Sequence, residues 1–142
     1  MTINREEAIK HLNELFAEEL EAGLRYLCLA SSLKGLDRLL VRDTMLENMN
    51  ETLEHAQAIA NRILQLGSVP QLELKLSIPP ERTNAQEAIR TALAFEQAAL
   101  DSYRELLEKL EGSDDIALEE FVREQVAVES QHVSELYTLL EN

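Results

Sequence analysis

The chain has 142 residues, 45% of them hydrophobic and 28% charged, which is enough apolar material for one packed core and too much for a disordered chain. A formal net charge of −14 disfavours nucleic acid and anionic membrane surfaces as partners. Cys28 is the single cysteine and cannot close an intrachain disulfide, MTINREEAIKHL has no apolar signal-peptide core, and no run approaches the ~18 apolar residues of a membrane span. A soluble cytoplasmic protein of one domain, residues 1–142, is expected.

Leu, Ala, Glu and Gln dominate, so helix propensity is high almost everywhere, and four helices without strands are expected. The first spans about 4–34. Asn4 with Glu7 reads as a capping box, Gly35 as the stop, and the apolar stripe runs Ile9, Leu12, Phe16, Glu19, Gly23, Tyr26 or Leu27, Ala30, Leu33. The second spans about 37–66, with Val41, Met45, Asn48, Thr52, His55/Ala56, Ile59, Ile63 and Leu66 on its stripe, and Gly67 ends it.

Residues 67–83 hold Pro70, Pro79 and Pro80, which exclude a helix. This stretch is long enough to cross the molecule, whereas the other connections are tight. A third helix is expected from Asn84, again with a Glu three residues on, to Gly112, with the stripe Ile89, Leu93, Glu96, Leu100, Tyr103, Leu107, Leu110. The fourth starts near 113–115, where acidic residues suit the positive end of a helix, and carries Leu118, Val122, Gln125, Glu129, His132, Leu136 and Leu139. The expected fold is an all-α four-helix bundle of two antiparallel hairpins joined by a long crossover.

Five ionisable residues stand in these stripes where apolar side chains belong: Glu19, His55, Glu96, Glu129 and His132. Each lies near the middle of its helix, so antiparallel packing brings all five to one level. A buried carboxylate without a partner is very costly, and a metal ion is an economical common partner for several. Glu129 and His132 form a Glu-x-x-His step that points both side chains from one helix face. A lone mid-helix His is more often a hydrogen-bonded core residue than a ligand; five ionisable groups at one level shift the balance to metal. Three carboxylates and two imidazoles suit iron, manganese or zinc rather than metals that want thiolates. His11, near the start of the first helix, is expected to be solvated.

LNELFAEELEAGLRY, HAQAIANRILQLGSVPQL, ALAFEQA and VESQH resemble the helix motifs of the ferritin-like superfamily, most closely the bacterioferritins, and the likeness covers nearly the whole chain. The resemblance implies a di-iron centre with Glu19, His55, Glu96, Glu129 and His132 as ligands and Glu129 as a bridging carboxylate. It also implies Tyr26 as the tyrosine beside the metals, oxidation of ferrous iron by O2 or peroxide, and iron storage in a 24-subunit shell. Glu19, Glu96, Glu129 and Tyr26 are then the groups that carry the reaction.

One departure matters. The family has Glu-x-x-His on the second helix also, and here the residue three before His55 is Thr52. A neutral hydroxyl cannot bridge two irons as a carboxylate does. Glu51, one turn before His55, can swing in as a sixth ligand; the site can hold one metal or an unequal pair; or it is degenerate. Thr52 itself reads equally well as a core residue bonding back to the preceding turn.

Haem is not expected. The position matching the haem-ligating methionine of bacterioferritins is Leu53, and Met45 and Met49 read as packing residues. Tyr26 and Tyr103 read equally as core tyrosines or as groups serving the metals. Leu24, Leu29, Leu40 and Leu46 lie off the main stripes and predict self-association, at least a dimer. The alternatives to an iron-storage ferroxidase are a small di-metal oxidase or peroxidase and a non-catalytic ferritin-like subunit.

Overall fold

A computed structural model of the chain describes residues 3–141. Four helices run in the order α1 (Arg5–Ser32), α2 (Asp37–Gln65), α3 (Ala85–Leu110) and α4 (Ile116–Leu139). α1 pairs most extensively with α2 and α3 with α4, and α1 also packs on α3. This is the expected bundle of two hairpins with a long crossover.

The helix starts follow their capping residues. The Asn4 and Asn84 side chains each accept a hydrogen bond from the backbone N–H three residues on, at Glu7 and Glu87, both 2.9 Å. Asp115 does the same for Leu118 at 3.0 Å. Gly35, Gly67 and Gly112 all adopt positive φ at helix-ending turns, where a Cβ would be strained.

α1 stops at Ser32, before the expected 34, because the returning crossover takes over its last groups. Thr83 pairs with Leu33 in an isolated parallel β-bridge, an element the stripes did not predict. The Arg82 guanidinium donates to the carbonyls of Ser32 and Leu33 at 3.1 and 2.8 Å, and Arg38 donates to Leu33 at 3.1 Å. Helix carbonyls left without an intrahelical partner, at the negative end of the macrodipole, are thereby satisfied by cations. Asp37 then accepts from the Ala85 N–H at 2.8 Å, fixing the start of α3 against the start of α2.

The core divides into two apolar clusters. One holds Leu12, Leu15, Ile59, Ile63, Leu106 and Phe121 among others; the second holds Tyr26, Ala30, Met45, Ile89 and Leu136. In chain order the five ionisable residues lie between these clusters on every helix, so apolar layers close the middle of the bundle from both ends. Tyr26, not Leu27, faces inward: Tyr26 is fully buried and Leu27 exposed. Several stripe positions are only half-buried, among them Ile9, Phe16, Val41, Leu93 and Leu107, and Leu139 is exposed near the end of α4.

Leu29 and Leu46, expected on an outer face, instead pack against the second cluster. Leu24, Leu27, Leu36, Leu39, Leu40 and Leu53 are exposed. Met45 is buried and Met49 packs beside it, while Leu53 stays on the surface. Among the described residues, no helix is long and apolar enough to cross a membrane.

Candidate metal centre

Glu19, Glu96 and Glu129 come from three helices and are each 1% exposed. His55 and His132 come from α2 and α4, and their rings stack at 6.0 Å between centroids with planes 24° apart. The Nδ1 atom of His55 lies 3.1 Å from Glu19 Oε2 and 3.4 Å from Glu129 Oε1. Nδ1 of His132 lies 3.0 Å from Glu96 Oε2. Two groups of ligand-type atoms result, Glu19/His55/Glu129 and Glu96/Glu129/His132, each with its atoms within 4.8 Å of one another. Glu129 belongs to both.

A regularity underlies this geometry. Glu19, Tyr26 and His55 recur as Glu96, Tyr103 and His132, each 77 residues on. In both halves the carboxylate and the imidazole it meets are 36 residues apart. The same offset carries Thr52 onto Glu129, so Thr52 marks the place where the repeat breaks. The repeat is carried by this fixed offset among the stripe residues, while the residues between them mostly differ in the two hairpins.

The carboxylates fit a cation. Glu19 Oε1, Glu96 Oε1 and Glu129 Oε2 are buried with no hydrogen-bond partner among the described residues. Leaving a buried acceptor unpaired costs about 1–3 kcal/mol, more when charged, and three at one level call for a shared positive partner. Hard carboxylate oxygens with borderline imidazole nitrogens match iron, manganese or zinc.

Protonation fits as well. Burial pushes the Glu19 carboxyl up, against the opposing hydrogen bond from His55, to about 8. Burial likewise raises Glu96, against the opposing bond from His132. Burial alone lowers the His55 imidazole, but hydrogen bonds to Glu129 and Glu19 and their charges outweigh it and raise it to about 10. The Glu96 hydrogen bond lifts His132 to about 9, against the opposing effect of burial. Near neutral pH the carboxyl–imidazole pairs therefore hold protons, and a cation at the site displaces them.

Both tyrosines border the site. The hydroxyls of Tyr26 and Tyr103 are buried and unpartnered among the described residues. Burial raises both phenols, Tyr26 with the added charges of Glu96 and Glu129, Tyr103 with those of Glu19 and Glu129. Tyr26 also meets Phe95 edge-on at 4.8 Å.

Glu51 and Thr52 stand differently. Thr52 is buried at 2% exposure, with its γ-methyl 4.0 Å from where a Cβ on Gly23 of α1 would stand. Glu51 joins neither group of converging atoms. Its side chain is 48% exposed, and its Oε2 lies 3.2 Å from Nε2 of His132, on the side of the ring away from Glu96. His11 is half-buried, with Nδ1 3.9 Å from Glu14.

A four-helix bundle with three carboxylates and two imidazoles facing inward at mid-height is the architecture of the carboxylate-bridged metal proteins. The family model of the ferritin-like domain matches residues 9–142, and the chain belongs to that family. It stands close to the bacterioferritins. Rhodobacter capsulatus bacterioferritin, solved with a metal-free dinuclear site, is 26% identical over 99% of this chain and 86% of that chain, with a TM-score of 0.85. A ferritin-like, diiron-carboxylate protein from Bacillus anthracis str. Ames is 24% identical over 99% of this chain and 100% of that chain, with a TM-score of 0.86.

Proposed function

We propose that the protein binds ferrous iron at Glu19, His55, Glu96, Glu129 and His132, oxidises it, and thereby stores or detoxifies it. One observation carries the reading: three buried carboxylates each meet an imidazole Nδ1 through one oxygen and leave the other oxygen without a partner. Ferrous ions are the substrate. Each gives one electron, and a pair reduces O2 to hydrogen peroxide or hydrogen peroxide to water, two protons being consumed in either case.

The chain's residues bind, orient and shift charge. Carboxylates stabilise the higher charge of the ferric product more than that of the ferrous substrate, which favours electron loss. The imidazoles give up their protons as iron enters, and their stacked rings hold the spacing between the two groups. The apolar clusters above and below restrict water. Tyr26 lies where its hydroxyl can bond a ligand carboxylate or give an electron.

Thr52 supports a second reading, in which one carboxylate bridge instead of two leaves an unequal pair of metals or a single one. Self-association is part of the proposal, through the face bearing Leu24, Leu27, Leu40 and Leu53, all exposed.

Anaerobic ferrous titration, followed by oxygen, tests both readings. Two irons per subunit with rapid growth of near-ultraviolet ferric absorbance support the ferroxidase. One iron or fewer, oxidised no faster than in buffer, refutes it and leaves the degenerate-site reading.

A further inference from the structure

His132 is held from both sides. Nδ1 faces Glu96 Oε2 at 3.0 Å and Nε2 faces Glu51 Oε2 at 3.2 Å. A neutral imidazole carries one N–H, and the nitrogen that carries it cannot bind a metal. With the hydrogen on Nε2, drawn outward by the Glu51 carboxylate 3.2 Å away, the Nδ1 lone pair points at Glu96 and Glu129. The other tautomer points a hydrogen into the centre.

His55 is held differently. Its polar contacts among the described residues all run through Nδ1, to Glu19 and Glu129. The offset that relates the two halves carries Glu51 onto Val128, which has no side-chain acceptor to serve His55. The departure from symmetry therefore has two parts that sit side by side on α2: Thr52 lacks a carboxylate facing inward, and Glu51 supplies one on the outer side of the opposite histidine.

We infer that Glu51 is a positioning residue, not a ligand: its carboxylate fixes the tautomer and ring plane of His132 and so makes the Glu96/Glu129/His132 half of the centre the tighter metal site. A carboxylate behind a metal-bound histidine raises the ring's basicity and reduces its freedom, and its loss typically costs about 10–100-fold in affinity. This rests on the metal-site reading proposed above. Glu51 lies half in solvent and its contact with Nε2 is a screened charge contact, so it acts by drawing the Nε2 hydrogen outward rather than through strong Coulomb attraction.

Cobalt(II), a spectroscopic stand-in for the ferrous ion, tests it anaerobically through its visible absorption. Wild type is expected to bind in two steps of unequal affinity. Glu51→Ala should weaken the tighter step by about 10–100-fold and leave the weaker one in place. Glu51→Gln keeps an oxygen facing Nε2–H without the charge and should retain part of the affinity. Glu54→Ala removes an exposed charge on the same helix and should change neither step. Long-range proton–nitrogen NMR of the zinc-loaded protein should find His132 protonated at Nε2 in wild type and in Glu51→Gln.

Equal weakening of both steps, no weakening, an equal loss in Glu54→Ala, or a Glu51→Gln variant as weak as Glu51→Ala would each overturn the role of Glu51 while leaving the metal site standing. Wild type that binds no cobalt would overturn the metal site as well.

Discussion

Thr52 on α2 and Glu129 on α4 occupy equivalent places in the two halves of the bundle, both buried, one neutral and one a carboxylate that meets both groups of ligand-type atoms. Glu129 is thus the only candidate bridge among the described residues. Restoring the second bridge with Thr52→Glu should strengthen binding of the weaker metal by about tenfold or more, since a further anion faces a pair of divalent ions. The same change should weaken the metal-free fold by about 1–3 kcal/mol, because a carboxyl then sits buried without its cation. Cobalt titration and metal-free urea unfolding measure the two effects. A variant whose metal affinity does not rise would show that Thr52 does not face the metals.

Sharing also sets how single ligand substitutions differ. Glu129→Gln should disrupt both metal positions, whereas Glu19→Gln and Glu96→Gln should each leave one. Stoichiometry by elemental analysis after loading with cobalt and desalting distinguishes the cases. Equal retention in all three variants would mean that Glu129 is not shared.

Much of this was legible beforehand because the signals are local. Asn4 and Asn84 cap their helices by reaching three residues along, and a Glu or His in an apolar stripe declares itself by periodicity. Depth along each helix then placed the five groups at one level. Three features were not legible. Arg82 closes the end of α1 from 50 residues away, and no local rule links them. Periodicity also assigns a face to Glu51 without saying that its carboxylate reaches His132 on another helix. The half-buried Phe16 and Leu93 were not legible either, because stripe counting treats every apolar residue as equally enclosed.

Tyr26 offers a stability test independent of metal. Its hydroxyl is buried near Asn48 and Glu96 but makes no well-aligned hydrogen bond with either, while its ring packs edge-on against Phe95 at 4.8 Å. Tyr26→Phe keeps the ring contact and removes the unsatisfied group. The metal-free variant should gain about 1 kcal/mol in urea unfolding. A loss of that size would mean that the hydroxyl is hydrogen-bonded in the metal-free protein.

Glu18 adds a pH dependence beside the site. Ser102 on α3 donates to its Oε1 at 3.1 Å, and its other oxygen is buried without a partner among the described residues. Burial lifts its carboxyl from 4.5 to about 7, against the Ser102 bond and with help from Glu14, Glu21 and Glu105. A folded value above the unfolded one means that the native state holds the extra proton. The advantage is complete below about 4.5 and is lost as pH rises through 7. Glu18→Gln stays neutral and keeps an acceptor for Ser102. It should therefore match wild type near pH 5 and exceed it near pH 8, by about 1 kcal/mol once solvent screening of this half-buried group is allowed for. That corresponds to about 3 °C in Tm for a chain of this size. Metal-free thermal unfolding at the two pH values decides it: an equal shift at both would assign the gain to something other than the Glu18 proton.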